Sequence, residues 1–438
     1  MKILLVNYRY FISGGPERYY FNVKELLKAK GNEVVPFSVK SARNRPNDYE
    51  DYFLDIVDDE VYFAQAKKSL RVVMKSFARM FYSLEAKRKM ARLIRDVRPD
   101  VVYIMQMHNK ISPSIVDAAK EAGVPVVHRI SDFQYMCPNA LFYNERIGVC
   151  EDCLHGRRLS CVKYKCVLNS TVYSGIKMAA KMLHDMMGVT KKIDAFVVPS
   201  SFTMNKLREY GIPAEKLHHI PTFFNLKDSD PQVTYEPFVL YVGRIEAQKG
   251  LLTLIKAFEG TDMPLKIIGF SNDGYEEQLK EYLKGRQHNI EFLGRMTFEQ
   301  IMPWLKRCRC TVVPSEWYDN FPNAILESFA YKKAVIATRF GSLPELVEEG
   351  QTGTLFPRAD YQALREKAQW MLTHEDNALR MGQEGFQRIL HQYSPEEHYH
   401  RLREILILSE KLKVKSEKWP CGLLSEKLKV KSEKREVK

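Results

Sequence analysis

Short, unbroken apolar runs recur along the chain at 2–8, 33–39, 100–105, 124–130, 194–199, 237–244, 265–269, 290–293, 310–314 and 334–338. Unbroken runs, in contrast to alternating ones, are the pattern of strands buried on both faces. Between most of them apolar positions return at helical spacing. The first run, "KILLVNY", passes into "SGGPERYYFNVKELLKAKG", where a glycine pair and Pro16 suit a turn into a helix. The run "PFVLYVGR" at 237–244 follows the same plan, with the loop and helix of "IEAQKGLLTLIKAF" behind it. Strand–helix alternation predicts parallel sheets covered by helices on both faces. Two such series predict an α/β chain of two Rossmann-like domains. Their join is expected in "HIPTFFNLKDSDPQVTYEP" (219–237), which carries Pro and Asp without clear periodicity. That division assigns 1–220 to one domain, 221–405 to a second and 406–438 to a tail. In such sheets ligands sit beyond the carboxyl ends of the strands, so two facing domains would share a cleft.

With 438 residues the chain can build two hydrophobic cores of ordinary size. The apolar run at the start is too short for a signal peptide, and no stretch approaches the roughly 18 apolar residues of a membrane span. The expected compartment is therefore the cytoplasm, where cysteines are inert or act as ligands. Of the net charge of +13, residues 411–438 supply +6, from ten Lys/Arg against four Glu. The +7 of the body is modest, and no helix-turn-helix, aromatic-basic strand or C2H2 spacing accompanies it, so nucleic acid is not expected as a partner. Within the tail "LSEKLKVKSEK" occupies 408–418 and recurs at 424–434, and its polar composition reads as a solvated extension.

Candidate chemistry concentrates just past the predicted strands. In "SEWYDNFPNAILESFA" (315–330) the strand ends at Ser315, and Pro322 fits the first helical position with Asp319 or Asn320 as cap. The N–H groups of Asn323 and Ala324 would then face the cleft with the helix dipole behind them, as a phosphate site requires. Asp319 could accept from sugar hydroxyls, and Glu327, more than one turn into the helix, could grip a diol such as a ribose. Without a ligand, the same acids would serve as a cap and a surface carboxylate.

This segment resembles the acid-x7-Glu motif of retaining glycosyltransferases of family 4, which have the two-domain GT-B fold, and the likeness extends from residue 1 to about 405. The resemblance implies that Asp319 holds the transferred sugar, that Asn320, Phe321, Pro322 and Asn323 meet phosphate and sugar, and that Glu327 binds the nucleotide ribose. The family usually has Glu where Asp319 stands, one methylene longer. "VGRIEAQKG" is similar to the strand-loop whose cations, here Arg244 and Lys249, hold the donor pyrophosphate. "SGGPER" resembles the amino-terminal Gly-Gly turn, so Gly15 would allow backbone to approach donor and acceptor. "IIGFSNDGYEEQL" resembles the loop by the nucleotide base, with Gly269 its most transferable position.

On the acceptor side "VVHRISDFQYMCP" matches a segment that usually ends in His-Asp; Ser131 takes the His place and Asp132 remains. His128, three residues back, is expected to point elsewhere along its strand. His108, in "MQMHNKISPS", matches a His-Asn pair of relatives. Five cysteines lie between 137 and 166, four of them spaced Cys137-x12-Cys150-x2-Cys153-x12-Cys166. That spacing suits a tetrahedral structural Zn²⁺ site, or else packed reduced thiols. The stretches 67–98 and 174–192 are basic with apolar residues at helical spacing; they suit a domain core and also docking on the anionic inner face of the cytoplasmic membrane. Together the resemblance implies a glycosyltransferase that moves a sugar from a nucleotide-diphosphate donor to a saccharide or lipid-linked acceptor, with retention and without a catalytic metal, in surface polysaccharide assembly. The alternatives are a sugar-nucleotide epimerase of the same fold and a catalytically silent saccharide-binding scaffold.

Overall fold

In a computed structural model the described residues are 1–55, 70–226 and 230–417. The first sheet is built from β1 (Lys2–Val6), β2 (Glu33–Phe37), β3 (Val101–Ile104) and β4 (Val126–Arg129). After a short antiparallel hairpin, β5 (Tyr143–Asn144) and β6 (Gly148–Val149), it is completed by β7 (Ala195–Val198) and β8 (Leu217–His219). The six strands are parallel and ordered β2-β1-β3-β4-β7-β8. The second sheet comprises β9 (Val239–Val242), β10 (Leu265–Ile268), β11 (Ile290–Gly294), β12 (Cys310–Val313), β13 (Ala334–Thr338) and β14 (Gly353–Phe356). Its strands are also parallel, in the order β11-β10-β9-β12-β13-β14. Both expected sheets are present.

Each sheet reverses its direction of growth beside its first strand, between β1 and β3 in one and between β9 and β12 in the other. Loops leaving those strands diverge to opposite faces and open a crevice there. The loops after β1, β3, β9 and β12 carry four of the motifs of the sequence, and those after the neighbouring β4 and β10 carry Asp132 and Gly269. Helices cover both faces of each sheet. Leu4 and Val6 pack on one side with Met90, Leu93 and Ile115; Ile3 and Leu5 pack on the other with Leu26 and Leu27 of the helix Gly15–Ala29.

Several details differ from the sequence reading, among them β14, which no apolar run marked. The strand β8 is short and carries two histidines, so no apolar run marked it. The basic run 67–98 is not one element: the helices Leu70–Phe81 and Leu84–Val97 are separated at Ser83, whose Oγ accepts from Ala86 N at 3.1 Å as an N-cap. Residues 56–69 lie outside the described part. The join at 219–237 is matched by a second crossing, because the last helix, Pro395–Glu417, returns to the first sheet and buries Leu402, Ile405 and Leu406 beside Ile3 and Leu5. Each of those three aliphatic side chains contributes about 2 kcal/mol on burial. Residues 408–417 of the first copy of the repeat thus form the end of this helix, while residue 418 and the second copy, 424–434, lie outside the described residues.

Candidate functional site

The loop after β12 brings two charges together. Asp319 is nearly buried and accepts from Lys249 Nζ at 2.7 Å and from Ser315 Oγ at 2.8 Å. Lys249 ends the short turn Ala247–Lys249 after β9 and lies 5.1 Å over the Trp317 ring. The helix Asn323–Ala330 starts from Pro322, which is itself the cap position (φ −74°, ψ 113°) and not the first helical residue. Asp319 and Asn320 do not cap it, and no side chain does, because both are committed elsewhere. Its first amides therefore retain the dipole-backed character that binds anions. Phe321 packs edge-on to Tyr393 at 6.0 Å. Glu316 is drawn off by Thr253, whose Oγ1 donates to it at 2.6 Å.

Arg244 is half exposed and pairs with Glu246. Burial pushes the Glu246 carboxyl up, and Arg244 opposes that shift. Gly269 is the contact between the loops after β10 and β9: a Cβ there would lie 2.0 Å from Gly243 O.

The opposing domain reaches into the same place. Arg18, from the helix behind the Gly-Gly turn, donates to Glu327 Oε1 at 2.6 Å and lies 4.8 Å over the Phe298 ring. Glu327 is 8% exposed; burial raises its pKa and Arg18 lowers it. Gly15 faces the start of the helix Asn323–Ala330 so closely that a Cβ would meet Asn323 Nδ2 at 2.8 Å. Asn320 bridges the cleft, accepting from Thr203 Oγ1 at 2.6 Å and donating to Ile130 O at 3.1 Å. Tyr318 packs against Phe133, Phe142 and Phe202, with ring centroids 6.5, 6.1 and 4.7 Å away. Arg18 stands in the quoted "SGGPER" motif, yet its pairing with a residue 309 positions away has no local signal.

Next to this contact is a cavity of about 350 Å³ at the ends of β1, β3 and β4. His108, Ser131 and Asp132 all line it, and so does His128, which the sequence reading turned away. His128 points into the cavity because Tyr135 hydrogen-bonds its Nδ1 at 2.7 Å. Burial pushes the His128 imidazole down to about 3. His108 is also held neutral, by burial and by the neighbouring His128, His184 and Lys177, and its Nε2 is buried without a partner among the described residues. Asp132 accepts from the backbone N and the side-chain Nε2 of Gln134 at 3.0 and 3.2 Å, and burial raises its pKa. Lys177 is a further lining residue, hydrogen-bonded to Asn109 and brought down to about 8 by burial. Ser131 Oγ donates to Met105 O at 3.3 Å and accepts from Arg129. The rest of the wall is largely apolar, including Met80, Met107 and Leu168.

The cysteine segment borders this cavity. Cys137, Cys150, Cys153 and Cys166 line one small void, and Cys161, outside the expected set of four, lines it too. All five are free thiols.

Comparison with known proteins puts this geometry in a family. Residues 14–222 match the glycosyl transferase 4-like domain, and residues 224–388 match glycosyl transferases group 1. An uncharacterized glycosyltransferase of Methanocaldococcus jannaschii is 34% identical over 150 residues, 34% of this chain and 42% of that protein. The D-rhamnosyltransferase WbpZ of Pseudomonas aeruginosa is 31% identical over 147 residues, 33% of this chain and 38% of that one. These matches span about two fifths of the length of the relatives. Among solved structures, HepE of Anabaena in complex with UDP has a TM-score of 0.60 at 16% identity, covering 93% of this chain and 99% of that one.

Proposed function

Because the chain belongs to the GT-B glycosyltransferases of the family 4-like kind, we propose that it transfers a sugar from a nucleotide-diphosphate donor to a saccharide acceptor with retention at the anomeric carbon. The observation that carries this reading is the uncapped helix start at Asn323, with Lys249 and Asp319 on one side and Gly15 of the other domain facing it. That HepE was crystallised with UDP supports a donor of this class.

In the reaction, the donor diphosphate occupies the helix start. Lys249 leaves Asp319 for the phosphates and Arg244 turns from Glu246, so the charge that develops on the departing diphosphate is met by two cations and by backbone amides. Asp319, released, takes the sugar hydroxyls, and Glu327 takes the ribose diol. The acceptor lies in the cavity with His108, Asp132 and Lys177. Its hydroxyl oxygen bonds to the anomeric carbon as the bond from that carbon to the diphosphate oxygen breaks, and its proton passes to the leaving diphosphate. No protein base is required, and the neutral imidazole of His108 serves as a hydrogen-bonding wall. Positioning supplies the rest.

The acceptor in this reading is lipid-linked and the chain docks on an anionic membrane, in the assembly of a surface polysaccharide. Charge supports it: residues 67–98 hold eleven Lys/Arg against two acids, and 157–192 hold eight against one, so the remainder of the body is net acidic. Exposed apolar side chains accompany that charge. Met74 and Phe77 stand on one helix, and Val172, Met182 and Met186 on another, both of which line the cavity with other faces. Among the described residues no helix is long and apolar enough to cross a membrane, so contact would be peripheral.

Incubating the full-length chain with a panel of nucleotide sugars, with and without acceptor lipid extracts, tests the reading. Nucleotide release that requires acceptor is the expected result. A donor returned as its epimer, or donor binding without turnover under any condition, would replace it by the epimerase or the silent binder.

A further inference from the structure

We propose that Cys137, Cys150, Cys153 and Cys166 bind one Zn²⁺ ion, and that this ion braces the segment 137–166 against the acceptor cavity. Sugar transfer makes no use of these thiols. The fold nevertheless brings residues spread over thirty positions onto a single void of about 10 Å³, near the size of one water-sized sphere. Its frame is fixed by two asparagines: Asn139 Nδ2 donates to Tyr143 O at 2.7 Å, and Asn144 Nδ2 donates to Tyr164 O at 3.1 Å.

The backbone around the void stores strain. Of the ten non-glycine residues with positive φ among the described residues, five are here: Ala140, Phe142, Lys165, Leu168 and Asn169. Each costs on the order of 1 kcal/mol and needs surroundings that enforce it. The segment's apolar side chains do not enclose these turns: Phe142 packs away into the core of the first domain, while Ile147 and Leu159 are exposed. A thiolate-bound ion supplies that constraint, and four sulfurs with a central Cys-x2-Cys are the donor set Zn²⁺ takes.

No three of these sulfurs lie within 4.8 Å of one another. Among the described residues only Glu151, His155 and Glu209 place three ligand atoms within 4.8 Å of one another. Tetrahedral bonds of about 2.3 Å bring sulfurs to about 3.8 Å, so the ion would draw the side chains inward by rotamer changes about a backbone already in place. The Glu151, His155 and Glu209 group is the weaker candidate. It is largely exposed and its members are engaged, His155 with Glu209 at 2.6 Å and Glu151 with Lys206 at 2.8 Å. Burial and a thiol hydrogen bond do not separate Cys161, which donates to Ser174 O at 3.9 Å, from Cys137, which donates to Asn139 Oδ1 at 2.8 Å. Cys161 is left out of the four because it falls outside the symmetric x12-x2-x12 spacing, and its variant tests that choice.

The site has a mechanical consequence. Asp132, Gln134 and Tyr135 run into the cysteine segment from one side, and Val167 and Leu168 leave it on the other, and all five line the cavity. Phe142, within the segment, touches Tyr318, the neighbour of Asp319. A bound ion would therefore hold the acceptor wall in register with the donor loop.

The test is metal analysis of the full-length chain purified under reducing conditions and incubated with Zn²⁺ alone, which should carry about one zinc per chain. Replacing the zinc by Co²⁺ should produce thiolate-to-cobalt charge-transfer absorption, and chelation should speed tryptic cleavage after Arg157, Arg158 or Lys163. Cys150→Ser, Cys153→Ser and Cys166→Ser should each lose the metal, while Cys161→Ser and the remote Cys308→Ser should keep it. Zinc below about a tenth of an equivalent in the wild-type chain, no thiolate band with Co²⁺, or retention by Cys166→Ser with loss by Cys161→Ser would each overturn the assignment; the first two need no variant to fold.

Discussion

The two walls of the cleft handle charge in different ways. On the second-domain side, and across to Arg18, the ionic groups singled out are paired with one another: Lys249 with Asp319, Arg244 with Glu246, Glu327 with Arg18. On the first-domain side the cavity holds imidazoles kept neutral by burial and polar atoms with no partner among the described residues, His108 Nε2 and Gln106 Oε1. The difference teaches what each wall is prepared to receive. A wall of internal ion pairs accepts a highly charged ligand by exchanging partners, which keeps every buried charge compensated before and after binding. A wall that sets neutral imidazoles and an amide beside a few charged groups, Asp132 and Lys177 among them, offers a hydroxylated ligand both donors and acceptors.

The sharpest way to break this contrast is to remove Lys249, the cation proposed to change partners. Lys249→Ala should lower kcat/KM at least a hundredfold, about 2.7 kcal/mol, in steady-state assays, and normal kinetics would show that the diphosphate lies elsewhere. A second measurement probes the wall of the cavity. The His128 pKa is about 3 in the folded chain against 6.5 unfolded. Below pH 6.5 the unfolded chain therefore takes up a proton that the folded one refuses, so stability is full above that pH and falls as pH drops towards 3. Between pH 7 and pH 5 this one residue should cost about 2 kcal/mol, and His128→Gln should remove that share from denaturant unfolding curves compared at the two pH values.

Smaller effects sharpen the meeting of the walls. Gly15→Ala places a methyl where Asn323 Nδ2 now lies, so it should cost about tenfold in kcat/KM, near 1.4 kcal/mol, with unfolding midpoints little changed. His108→Gln retains a hydrogen-bonding group without the ring. It should cost less than about tenfold, appearing in the acceptor KM while donor affinity measured by calorimetry stays constant. A matching loss of donor affinity would erase the division between the walls.

Much of the scaffold was legible because parallel strands buried on both faces leave unbroken apolar runs, and ten of them marked ten strands within a residue or two at each end. Two strands of the parallel sheets escaped: β8 reads "LHH", whose imidazoles interrupt the run, and β14 reads "GTLF", too short and mixed to stand out. The motif-bearing loops were legible for a different reason: Gly, Pro and paired acids have local backbone meanings. Partnerships were not. Lys249 and Asp319 are 70 residues apart, Arg18 and Glu327 are 309 apart, and nothing local records either pairing. Pro322 was misread by one position, since a proline with extended ψ serves as well at the cap as inside the first turn. His128 was turned the wrong way because its direction depends on the hydroxyl of Tyr135, seven residues on.

The return of the helix Pro395–Glu417 to the first sheet gives the molecule two parallel straps between its halves instead of one. A single strap would permit twisting as well as opening. With two, side by side, the halves can swing about the line that joins the attachment points while rotation about other axes is resisted. Any opening of the cleft would thus be guided by both straps back to the same contact of Gly15 with Asn323, which lies away from the straps themselves.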